Sequence, residues 1–64
     1  TDAYVTSVKT LYSELLPDYQ YLLKSVTEIK EAADAENNYL VSAKMDEFIA
    51  SYAKTIWMLN QALL

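Results

Sequence analysis

The chain has 64 residues, a net charge of −4, and no cysteine, histidine or glycine. A chain of this size removes only about 60% of its unfolded surface from water, so it forms at most one domain with a thin stability margin. Without cysteine and histidine there is no disulfide framework, no thiol or imidazole catalysis and no use of the two commonest zinc ligands.

The lack of glycine bears on fold class. Hairpin turns and phosphate-cradling loops rely on glycine because it tolerates positive φ. With none and a single proline, the composition supports an all-α class alone.

In chain order, Thr1 or Asp2 is placed to cap a first helix through its side-chain oxygen. Val5, Val8, Tyr12, Leu15, Tyr19, Leu22, Val26, Ile29 and Ala33 then follow at alternating three- and four-residue spacings. This spacing keeps side chains on one face of a 3.6-residue helix. The line passes Pro17 in phase. An interior proline costs about 3 kcal/mol, because it removes a hydrogen bond and clashes with the preceding turn, whereas at the first position of a new helix it costs nothing. A break or sharp kink at Leu16–Pro17 is therefore favoured, giving helices over 2–16 and 17–36 and the option of a three-helix bundle.

Asn37–Asn38 is the most turn-like pair. Asn37 suits the left-handed conformation that ends a helix, and Asn38 suits the cap of the next one. A third stretch, 39–63, carries Met45, Ile49, Tyr52, Ile56, Leu59 and Leu63 at four- and three-residue spacings. The expected fold is an antiparallel helical hairpin of two long amphipathic arms in one domain. Because each helix of a hairpin hides only one seam, the wide stripes are expected to be completed into a larger coiled-coil-like bundle by a partner.

The charge is uneven. From Glu28 to Glu47 six acids face two lysines, which accounts for the whole net charge of −4. No arginine is present. Phosphate backbones and anionic lipid want clustered cations, so nucleic acid and acidic membranes are disfavoured partners. Nothing in the sequence reads as a membrane span or a signal peptide, which leans the expected setting to the cytoplasm. A hairpin lying on a membrane surface is disfavoured too, since its polar face lacks the usual cations.

Chemistry has few footholds. Glu28 and Glu31 are three residues apart on one helix side, but they flank Ile29 and no histidine accompanies them, so they read as a solvated acidic face. Asp46–Glu47 reads the same way. No catalytic residue, cofactor or metal is expected, and the chain does not read as an enzyme. Six tyrosines and one tryptophan in 64 residues instead suit protein contacts, where large rings with a polar tip are enriched. Leu40, Val41, Phe48, Trp57 and Met58 are left over once a single seam is removed. With Tyr21 and Tyr39 they are the candidate partner-binding residues. The expected function is a non-catalytic protein–protein interaction or oligomerisation module that pairs with itself or another helical chain. The alternative is a piece or subunit of a larger helical-bundle protein.

Overall fold

A computed structural model describes residues 1–64. It contains two helices, α1 (Asp2–Ala35) and α2 (Tyr39–Ala62). Tyr19 meets Tyr52, Lys30 meets Asp46 and Tyr12 lies beside Leu59, so the helices run antiparallel. The hairpin measures 52 × 14 × 14 Å. Its long dimension is that of α1, whose 34 residues span about 51 Å at 1.5 Å per residue.

The turn is built from the two asparagines. Asn37 takes φ 58°, a region open to asparagine at lower cost than to other residues bearing a Cβ. The Asn38 N–H donates to the Ala33 carbonyl at 2.8 Å and the Asn37 N–H to the Asp34 carbonyl at 3.1 Å, which is the double closure of a Schellman motif. The Asn38 side chain then accepts from the Val41 N–H at 3.2 Å, capping α2. One residue thus finishes the first helix and starts the second. Asn38→Ala is expected to lower stability by about 1 kcal/mol, read as a fall in melting temperature of roughly 4–8 °C for a domain of this size.

Two expectations about α1 are corrected. Pro17 does not begin a new helix; it lies inside α1, so the fold has two helices and not three. Pro17 is exposed while Leu15, Leu16 and Tyr19 around it are half-buried. Its ring is on the solvent side, where long helices lengthen their hydrogen bonds most readily, and a break would have taken the flanking apolar residues out of phase. Just ahead of it, the Thr10 and Ser13 hydroxyls donate to the carbonyls of Thr6 and Lys9 at 2.9 and 2.8 Å, contacts that favour helix bending. At the N-terminus, Thr1 is the cap residue but makes no side-chain cap bond; only its carbonyl is engaged, by the Val5 N–H at 2.9 Å.

The seam on α2 falls where its spacing predicts. Leu59 is buried, and Met45, Ile49, Tyr52, Ile56 and Leu63 are half-buried. On α1 the seam slides by one residue. Val8, Tyr12, Leu15, Tyr19, Val26 and Ala33 face α2, but Leu23 and Lys30 stand in for Leu22 and Ile29, which remain 39% and 47% exposed. Both choices lie beside the Tyr19–Val26–Ala33 line, and the Lys30 choice gives that side chain three oxygen partners. Val5 is exposed for another reason. α1 has 34 residues against 24 in α2, so its first turns overhang the end of its partner.

The resulting core is small. Only Val26, Ala33, Leu59 and Ser42 are buried, 4 residues of 64, and no large side chain is fully enclosed. Tyr19 packs edge-on against Tyr52 with ring centroids 6.0 Å apart, and Phe48 stacks on Tyr52 at 5.9 Å. Such aromatic pairs add about 0.5–1.5 kcal/mol each beyond the area they bury.

Candidate interaction surface

The two broad sides of the hairpin differ in character. One carries a polar network near the turn that joins the helices. The Lys30 ammonium donates to the Ser42 hydroxyl at 2.8 Å and to Asp46 Oδ2 at 3.2 Å. Its nitrogen lies 3.1 Å from Asp46 Oδ1 and 3.6 Å from Asp34 Oδ2. The Ser42 hydroxyl donates in turn to Asp34 Oδ1, so no buried side-chain polar atom is left without a partner.

The hydrogen bond to Asp46 is the main reason the Lys30 pKa is raised above its ordinary 10.5; partial desolvation opposes the rise, and the charges of Asp34 and Asp46 reinforce it. A raised folded-state pKa means that this contribution to stability is fully present below pH 10.5 and is lost as the pH climbs through the higher folded value. The expected result is an alkaline fall in melting temperature that is shallower in Lys30→Met than in the unaltered chain.

The other side is apolar. A groove of about 230 Å³ opens there, lined by Tyr12, Thr55, Met58, Leu59 and Ala62. Beside it on α1 run Tyr4, Leu11, Leu22 and Ile29, exposed by 72, 52, 39 and 47%, with Leu15 half-buried among them. Near the turn, the Lys44 ammonium lies 5.5 Å from the Phe48 ring centre and 3.1 Å from Glu47 Oε2. It sits over the ring face in a cation–π contact, and Glu47 pairs its charge.

The seven residues singled out from the sequence do not form one patch. Leu40 and Met58 are 18 residues apart in sequence, five full helical turns, so they share a line on the groove side. Tyr39 and Trp57 share a second line about 100° away, facing off the hairpin. Tyr21 is exposed on α1, and Val41 and Phe48 are half-buried by the hairpin itself. The ridge of Tyr4, Leu11, Leu22 and Ile29 lies outside these seven, because spacing alone places Leu22 and Ile29 in the seam; its signal in the sequence is a second set of heptad spacings beside the first.

No cluster of three or more acidic residues is placed to hold a metal. Glu28 and Glu31 are exposed. No helix is long and apolar enough to cross a membrane.

Comparison with known proteins gives partial likenesses. The chain is 40% identical over 53 residues to a UPF0182 protein of Clostridium tetani, covering 83% of this chain and 6% of that protein. It is 33% identical over 55 residues to the DNA protection during starvation protein of Helicobacter pylori, covering 86% of this chain and 38% of that protein. The chain thus spans well under half the length of either relative. No family model matches the sequence, and no solved structure matches it.

Proposed function

We propose that the chain is a non-catalytic helical interaction module, whose apolar side is completed by further helices from another chain. The observation that carries this reading is the mismatch between composition and burial. The sequence is 53% hydrophobic, yet two helices bury only 4 of its 64 residues. Fully burying one leucine or isoleucine is worth about 1.5–3 kcal/mol, so covering the ridge and groove supplies stability that a 64-residue hairpin otherwise lacks.

A second reading is favoured by the length of the relatives: the hairpin would be one piece of a longer helical protein whose other helices cover the same side. Both readings use the same surface. The name of the Helicobacter relative speaks of DNA protection, but a stretch with no arginine and a net charge of −4 offers little to a phosphate backbone. Direct DNA contact by these residues is therefore not part of the proposal.

Circular dichroism over a hundredfold dilution tests the reading. A module that depends on association loses helicity as it is diluted, and it binds an apolar dye once dissociated. Constant helicity with no dye binding at any concentration would count against both forms of the proposal.

A further inference from the structure

We propose that the partner is a second copy of this chain, laid antiparallel on the bare ridge of α1, with Leu11 of each copy against Leu22 of the other and Tyr4 against Ile29. This deepens the interaction-module reading and rests on it. The ridge is a continuous line, Tyr4, Leu11, Leu15, Leu22 and Ile29, at spacings of seven and four. α2 covers only Leu15 of this line and leaves Tyr4, Leu11, Leu22 and Ile29 exposed, because the seam runs through Leu23 and Lys30 instead.

Self-complementarity is what a two-fold interface requires, since residue i must meet j while j meets i. The ridge has this property about a point between Leu16 and Pro17. Tyr4 and Ile29 are equidistant from that point, as are Leu11 and Leu22, so large apolar side chains meet large apolar side chains. Pro17 is at the centre of α1 in sequence but exposed on another side of the helix, where it does not obstruct the approach. Asp18 is the one charge on the line, and it stands opposite Leu15 of the second copy.

The area is of the right size. A stable complex hides about 800 Å² per partner. Taken with the groove side of α2, the apolar side of the hairpin measures 52 × 14 Å between Cα atoms, a projected area on the order of 700 Å² and close to that requirement. The overhanging first turns of α1, bare in the single chain, would lie along the Ile29 region of the second copy.

Charge selects the antiparallel orientation. The entire net charge of −4 sits between Glu28 and Glu47, around the turn. A parallel copy would bring two such ends together. An antiparallel copy separates the two turns by about 60 Å and the nearest ends of the acidic segments by about 35 Å at 1.5 Å per helical residue, several times the roughly 8 Å screening length at physiological salt.

The chain has no cysteine, so single replacements report the geometry cleanly. Leu11→Cys and Leu22→Cys chains are mixed and oxidised, and the unaltered chain is weighed by sedimentation alongside. The expected result is a dimer in which the mixed disulfide exceeds either like-with-like product by roughly tenfold, and Asp18→Leu tightens association by a similar factor. Dominant Leu11→Cys pairing with itself, or with a Met58→Cys chain, would mean a parallel arrangement and overturn the proposal. So would an unaltered chain that stays monomeric at millimolar concentration. If that monomer binds apolar dye, the interaction-module reading survives with a different protein as partner; a helical monomer that binds none removes that reading as well.

Discussion

Ile56→Asp is expected to abolish most of the helical circular dichroism of the chain. Ile56 is half-buried in the middle of the α2 seam, between Tyr52 and Leu59. The substitution forfeits most of the roughly 1.5–3 kcal/mol that burying an isoleucine contributes. It also sets a carboxylate against apolar neighbours, with no cation there to pair it, at a further cost of several kcal/mol. A domain of this length holds only about 3–10 kcal/mol in total, so the two losses together are comparable to everything that keeps it folded. The exposed Ser51→Asp supplies the control, because it adds the same charge on the same helix outside the seam. Retained helicity in Ile56→Asp would mean that the α2 seam lies elsewhere.

Pro17→Ala should act in the opposite direction, stabilising the fold by about 1–3 kcal/mol. Pro17 is inside α1 and exposed, so its replacement removes a steric clash and restores a backbone donor for the Ser13 carbonyl without emptying any packed space. Each kcal/mol raises the melting temperature of a small domain by roughly 4–8 °C, so the gain is readily measured. An unchanged or lower melting temperature would show that the backbone geometry imposed by Pro17 is needed for α1 to pack along α2.

These two substitutions bracket what was legible in the sequence. The α2 seam could be read because Met45, Ile49, Tyr52, Ile56, Leu59 and Leu63 keep an unbroken four- and three-residue spacing, even with Phe48, Trp57, Met58 and Leu64 beside them. The turn could be read because asparagine is the residue other than glycine that accepts positive φ, and Asn37 does so. Pro17 could not be settled locally. Its cost is fixed by chemistry, but whether the chain accepts that cost depends on packing along both arms, and the in-phase stripe was the stronger influence.

The register of α1 was ambiguous for a different reason. Leu22 and Leu23 are both apolar, and at Ile29–Lys30 the greasier residue is the one left outside. Spacing alone favours Ile29 for the seam. What reverses the choice is a set of oxygens on Asp34, Ser42 and Asp46 that only the folded hairpin gathers around Lys30. The same reversal produces the bare ridge of Leu11, Leu22 and Ile29 and shifts attention from Trp57 and Tyr39, which lie on a separate line. The candidate surface was therefore legible as an excess of apolar residues, and its location was not.

Sedimentation equilibrium of the unaltered chain between about 10 µM and 1 mM asks whether the apolar side of this hairpin is closed by a second copy of the chain. The expected mass rises with concentration from the 7.3 kDa of one chain to twice that value, with helicity rising in step. A chain that remains at 7.3 kDa and equally helical across the whole range would contradict it.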